Sequence, residues 1–139
     1  MKIALVIAEF NGEVTSLMHE QARRQAEALG VEVSGVLEVP GVFDMPLAAQ
    51  KLLARADVEG VALIGAVVKG ETLHDEIIAG ATAQAAANLA LRFGKPVTLG
   101  ITGPGMTLAQ AFARVDRAGR AVEALVRLIG ALKALEREP

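Results

Sequence analysis

The order of segments in this chain predicts a doubly wound α/β domain, a three-layer sandwich in which helices cover both faces of a four-stranded parallel sheet of order 2-1-3-4. Three observations predict it. Four short apolar runs alternate with stretches of helical periodicity. The runs end at Gly, Pro or Asn, residues that break regular structure. The first and third runs are apolar throughout, as strands covered on both faces should be. At 139 residues the chain has the size of one domain, taken as residues 1–139.

The first run, Lys2 to Glu9, reads KIALVIAE and stops at Phe10-Asn11-Gly12. Val14, Leu17, Met18, Ala22, Ala26 and Leu29 then recur at helical spacing, and Gly30 stands where a helix end favours a residue tolerant of positive φ. Glu32 to Val39 is β-branched and partly alternating, and Pro40-Gly41 ends it. Asp44 and Pro46 mark the start of a second helix expected to reach about Ala56.

Val61 to Val67 reads as the third strand. Gly70 leads from it into Thr72-Leu73-His74-Asp75, a capping-box pattern that opens an Ala-rich helix to about Phe93. The fourth strand is expected over Pro96 to Ile101, followed by a tight Gly103-Pro104-Gly105 loop. Thr107 and Gln110 make a second capping box before one last helix striped by Leu108, Phe112, Val115, Val122, Val126 and Ile129.

Composition narrows the function. Hydrophobic residues are 53% of the chain and charged residues 22%, an apolar balance that points to subunit contacts. The net charge is −2 and the isoelectric point about 5.7, so nucleic acid and anionic lipid are not expected partners. No apolar run is long enough to span a bilayer, because Glu9, Asp57, Lys69 and Glu71 interrupt the longer ones. Without cysteine there is no thiolate chemistry, and two histidines make a protein metal site improbable. The start of the chain does not read as a secretion signal, so the cytoplasm is the expected compartment.

A doubly wound sheet binds ligands at the carboxyl ends of its strands, which points to the loops Phe10 to Glu13, Pro40 to Asp44, Val68 to His74 and Thr102 to Thr107. In Gly70-Glu71-Thr72-Leu73-His74, backbone N–H groups and a helix N-terminus offer an anion pocket, although a plain capped helix start has the same pattern. It is neither a Walker loop nor a dinucleotide fingerprint. His74 lies at that edge, where an imidazole can move protons near neutral pH; a surface histidine is the alternative. His19, inside the first helix, reads as structural or solvent-facing.

Phe is found at only four positions, with no Trp or Tyr, yet Phe10 and Phe43 both stand in these loops. Phe10 beside the Asn11 amide suits a planar heteroaromatic ligand with polar edges, and Phe43 fits either that role or the core. Arg114, Arg117 and Arg120 recur every third residue on the last helix, where Asp116 can pair with Arg120, a pattern that also fits a solvated face.

Taken together, Ala8-Glu9-Phe10-Asn11, the segment Val39-Pro40-Gly41-Val42-Phe43-Asp44-Met45-Pro46-Leu47-Ala48, the stretch from Gly65 through Gly70-Glu71-Thr72-Leu73-His74-Asp75, and Lys95-Pro96-Val97-Thr98-Leu99-Gly100 resemble the lumazine synthase family. The likeness is strongest to its archaeal branch and runs from one end of the chain to the other. It implies a flavodoxin-like fold and the condensation of 5-amino-6-ribitylamino-2,4-pyrimidinedione with 3,4-dihydroxy-2-butanone 4-phosphate, giving 6,7-dimethyl-8-ribityllumazine, phosphate and water. No metal or organic cofactor takes part in that reaction.

Carried onto this sequence, the resemblance implies that Phe10 stacks on the pyrimidine while Asn11, Val42, Phe43, Asp44, Val67 and Val68 line the ring and ribityl chain. Gly70, Glu71 and Thr72 hold phosphate with Arg114, and His74 shuttles protons. Leu99 stands where many bacterial relatives carry an aromatic residue, and Arg120 stands in for a family lysine near the phosphate. The family site lies between neighbours in a ring of five, with the residues matching Leu99 and Arg114 supplied by the adjacent chain. Twelve rings build a sixty-subunit shell in some members, and a riboflavin synthase is a possible partner.

Other readings remain at this stage. The related archaeal riboflavin synthase shares the fold, but the intact Gly-Glu-Thr-x-His run favours the lumazine-forming reaction. A receiver would need an acidic cluster after the first strand, and a flavodoxin a hydroxyl-rich loop there, where Phe10-Asn11-Gly12-Glu13 stands instead. A non-catalytic flavin-binding or shell-forming protein is a third possibility.

Overall fold

A computed structural model describes residues 1–70 and 74–139. Its elements are β1 (Lys2–Ala8), α1 (Gly12–Ala28), β2 (Glu32–Val39), a 3-10 turn (Val42–Asp44), α2 (Met45–Leu53), β3 (Val61–Val68), α3 (His74–Phe93), β4 (Val97–Met106), α4 (Leu108–Ala113) and α5 (Arg117–Glu136). The four strands form one parallel sheet in the order β2-β1-β3-β4, as the sequence predicts.

Alternation along β1 divides the core. Ile3, Leu5 and Ile7 pack with Met18, Ala22, Val122 and Leu125 from α1 and α5, whereas Ala4, Val6 and Ala8 pack with Met45, Ala49 and Leu53 from α2. Both faces of β1 and β3 are therefore dry, which explains their unbroken apolar sequences.

The start of α2 is as predicted, and the structure corrects the expected course at three later points. Asp44 stands at the N-cap of α2 with Pro46 in the first turn, while its carboxylate closes the preceding 3-10 turn by accepting the Gly41 N–H at 3.0 Å. Helix α2 stops at Leu53, short of Ala56, and Lys95 Nζ reaches its end by donating to the carbonyls of Leu53 (2.8 Å) and Arg55 (3.0 Å). Strand β4 does not end at Ile101. It runs on through Gly103-Pro104-Gly105 to Met106, which rejoins the ladder opposite Val68 after a register shift.

The last helix is the third correction. It is two helices, α4 and α5, separated at Arg114–Asp116. Thr107 and Gln110 do form the expected reciprocal cap, with bonds of 2.9 and 3.2 Å, so the start of α4 is as predicted. One straight helix could not cover the ends of β3 and β4 through Ala111 and also lie along α1 through Ala118, Val122 and Leu125. Beyond Ala124 the apolar stripe of α5 continues, with Leu125 and Ile129 buried but Leu128, Leu132 and Leu135 exposed.

Among the described residues no helix is long and apolar enough to cross a membrane.

Candidate active site

The carboxyl ends of β1, β2 and β3 enclose a cleft of about 540 Å³. Three of the four expected loops form it. Phe10 and Asn11 come from the exit of β1; Pro40, Gly41, Val42, Phe43 and Asp44 come from the exit of β2; Ala66, Val67, Val68, Gly70, His74, Asp75 and Ile78 come from the end of β3 and the start of α3. The fourth loop, Thr102 to Thr107, does not line the cleft, because β4 sits at the sheet edge and continues past the level of the site.

Backbone pairing holds the first two loops together. Beyond the sheet, the Glu9 N–H donates to the Val39 carbonyl at 2.8 Å and the Phe10 N–H to the Pro40 carbonyl at 3.0 Å. Asn11 then turns the chain into α1 with left-handed backbone angles (φ 62°, ψ 45°), a conformation that asparagine tolerates better than most residues. Its side-chain amide donates to the Ala66 carbonyl of β3 at 2.9 Å. The Thr82 hydroxyl of α3 donates to the Val42 carbonyl at 3.3 Å, fixing the 3-10 turn from the other side.

Gly65 is needed beneath that turn. A Cβ there would stand 2.7 Å from Met45 Cε and 3.0 Å from Val42 Cγ2, so any larger residue would push against the buried side chains that seat the turn on β3. The result is a rigid seat with an apolar rim. Phe10 is 69% exposed and Phe43 65%, although aromatic side chains of this size usually bury most of their surface. Phe43 is thus a rim residue and not part of the core.

The opposite edge of the cleft is polar. Gly70, His74 and Asp75 stand there, with Ile78 one helical turn beyond His74. Glu71 and Thr72, the other two residues expected at this edge, lie outside the described residues, as does the first half of the expected capping box. Among the described residues lining the cleft there is no Arg or Lys. Sequence reasoning did not single out Pro40, Gly41, Ala66, Asp75 or Ile78 as site residues; the i, i+4 spacing of His74 and Ile78 was the available signal for the last.

Leu99, Arg114 and Arg120 are not brought to this cleft. Leu99 is exposed on β4 and shares a shallow hollow with Arg117, Arg120 and Ala121. Arg114 is exposed at the α4–α5 junction, and Arg120 pairs with Asp116 at 3.1 Å. Among the described residues no group of three or more His, Cys, Asp or Glu is placed to hold a metal ion. His19 lies away from the cleft in α1, where Arg23 Nε donates to its Nε2 at 2.9 Å. Partial burial, with Arg23 nearby, holds its pKa below the ordinary histidine value despite the opposing Glu38.

Fold and cleft together define a flavodoxin-like α/β protein whose site, at the strand ends, joins an aromatic rim to a helix N-terminus bearing a histidine. Residues 1–133 match the family model described as 6,7-dimethyl-8-ribityllumazine synthase. Relatives bearing that same name include proteins of Methanocaldococcus jannaschii (54% identical over 136 residues, 98% of this chain and 96% of the relative) and Picrophilus torridus (52% over 134 residues, 96% and 98%). A third, from Archaeoglobus fulgidus, is 49% identical over 138 residues, covering 99% of this chain and 96% of its own. The chain belongs to the 6,7-dimethyl-8-ribityllumazine synthase family.

Proposed function

We propose that this protein condenses 5-amino-6-ribitylamino-2,4-pyrimidinedione with 3,4-dihydroxy-2-butanone 4-phosphate to form 6,7-dimethyl-8-ribityllumazine, the penultimate step of riboflavin formation. The observation that carries this reading is the cleft itself: a two-phenylalanine rim faces a Gly70/His74 edge across a volume suited to a small ligand. The pyrimidine stacks on Phe10. Asn11, Val42, Phe43, Asp44, Val67 and Val68 line the ring and its ribityl chain, and the ketone phosphate lies toward Gly70, Glu71 and Thr72.

The 5-amino group attacks the ketone and water leaves, giving an imine. Loss of a proton from the adjacent carbon then expels phosphate, and after tautomerisation the ribityl-bearing nitrogen closes the second ring on the newly formed carbonyl with loss of another water. Each step moves protons, and we assign their relay to His74, which lines the cleft. Holding both reactants in one cleft removes much of the entropic barrier. A cation must also meet the departing phosphate. Because the described lining supplies none, we assign that role to Arg114 and Arg120 of a second copy, with Leu99 of that copy covering the free face of the ring.

The protein then acts as a ring of five chains, a closed assembly that can stack further into a sixty-subunit shell and enclose a riboflavin synthase. Supporting the ring are the exposed apolar side chains of Leu99, which shares a hollow with Arg120, and of Leu128, Leu132 and Leu135 along α5. The place of action is the cytoplasm. The test is product identification: mass spectrometry should find one 6,7-dimethyl-8-ribityllumazine per phosphate released, and riboflavin appearing from added lumazine would assign the related synthase activity instead.

A further inference from the structure

We propose that Gly103, which does not line the cleft, is the positioning residue for its phosphate-binding edge, because β4 passes so close to Val67 there that no side chain fits between the two backbones. This rests on the function proposed above. A Cβ built on Gly103 would stand 2.1 Å from the Val67 carbonyl oxygen and 3.0 Å from its carbon. Both are main-chain atoms of a strand buried in the sheet, so neither can swing aside as a side chain would.

The contact falls where the ladder between β3 and β4 changes register. Ala66 is opposite Thr102 and Val68 is opposite Met106, so two steps along β3 are matched by four along β4. The extra length is the Gly103-Pro104-Gly105 segment. Immediately after it the Lys69 N–H donates to the Met106 carbonyl at 2.7 Å. Val67 is thus pressed by Gly103, Val68 is re-paired, and Lys69 is tied, before the chain leaves for Gly70 and His74 at the cleft. The bulge sets where β3 releases that chain. Phe10 and Asp44 are held by bonds to Pro40 and Gly41, which do not involve β4, so among the ring-lining residues the bulge bears directly on Val67 and Val68 alone.

Gly105 supplies the control. Its φ of 82° lies in the same left-handed region as the 92° of Gly103, but a Cβ on Gly105 meets nothing within 4 Å. Gly103→Ala and Gly105→Ala therefore share the backbone strain and differ in the contact with Val67. A third variant, Lys69→Pro, removes the N–H that ties β3 to Met106 without touching Gly103.

Each variant is assayed with one substrate varied at a time, and binding of inorganic phosphate is measured separately by ³¹P NMR. Gly103→Ala should raise the KM for the butanone phosphate and the Kd for inorganic phosphate by about tenfold or more, and the KM for the pyrimidinedione, felt through Val67 and Val68 alone, by clearly less. Gly105→Ala should leave all three within about twofold, and Lys69→Pro should reproduce the loss seen in Gly103→Ala. Equal behaviour of the two alanine variants, an equal rise in both KM values, or a wild-type protein that binds no phosphate would overturn the positioning role. If Gly103→Ala does not fold, Lys69→Pro decides it: unchanged phosphate affinity overturns the proposal and weakened affinity sustains it. Wild-type protein that binds phosphate but forms no lumazine contradicts the reaction and leaves the phosphate measurements to judge Gly103.

Discussion

The side-chain amide of Asn11 donates to the Ala66 carbonyl at 2.9 Å, tying the exit of β1 to the end of β3 across 55 positions of sequence. Asn11 is also the one non-glycine residue with positive φ among the described residues. One residue thus turns the chain into α1, fixes the base of Phe10 and braces the floor of the cleft.

Its two roles can be separated by substitution. Asn11→Gly keeps the left-handed turn and loses the hydrogen bond, which should cost about 1 kcal/mol. Asn11→Ala loses the bond and adds left-handed strain, for a total of about 2 kcal/mol. Urea unfolding should rank wild type above Asn11→Gly and Asn11→Ala lowest; equal stability of the two variants would show that the backbone conformation contributes nothing.

Gly65→Ala should destabilise the protein by about 1–3 kcal/mol through overpacking, because Met45 is fully buried and Val42 is held by Thr82. Since the displaced turn carries Phe43 and Asp44, the KM for the pyrimidinedione should rise more than that for the phosphate-bearing substrate. This is the opposite pattern to that expected for Gly103→Ala, and steady-state kinetics with each substrate varied would separate them.

Acid should weaken the tie between the amino-terminal ends of β1 and β3 and the C-terminal helix α5. A hydrogen bond from Lys133 chiefly, with a bond from the Lys2 N–H, holds the Glu59 carboxyl below the usual carboxylate range. A depressed folded pKa means that its stabilisation is present above the unfolded glutamate value of about 4.3 and is lost as pH falls through the lower folded value. The pair is partly exposed, so about 0.5 kcal/mol is expected, diminished by salt. Lys133→Met should flatten the acid limb of a Tm-against-pH curve by that amount below about pH 4.5.

Mixing two impaired variants tests the shared site. If His74 comes from one chain and Arg114 from its neighbour, co-refolded His74→Ala and Arg114→Ala chains should regain activity, because about one site in four then has both native residues. A site contained within one chain would regain nothing.

What could be read from the sequence was what local chemistry determines. The apolar runs of β1 and β3, the Thr107–Gln110 cap and the turn residues Asn11 and Gly41 act within a few positions, and the structure has them where the pattern puts them. The extension of β4 to Met106 depends on pairing with Val68 and Lys69, and the break at Arg114–Asp116 depends on two different packing surfaces; neither leaves a local signature. The cleft was legible through its loops, since Phe10, Asn11, Val42, Phe43, Asp44, Val67, Val68, Gly70 and His74 all line it. Leu99, Arg114 and Arg120 came only through family resemblance, because periodicity alone gives a solvated helix face for the arginines.

The central claim is tested most directly by following absorbance as the pyrimidinedione and the butanone phosphate are mixed with wild-type protein, His74→Ala and Arg114→Ala. Lumazine should form with the wild type, more slowly with His74→Ala by about 10²-fold or less, and with a strongly raised KM for the phosphate substrate in Arg114→Ala. Well-folded wild-type protein that forms no lumazine, or variants that match it in both rate and KM, would contradict the account.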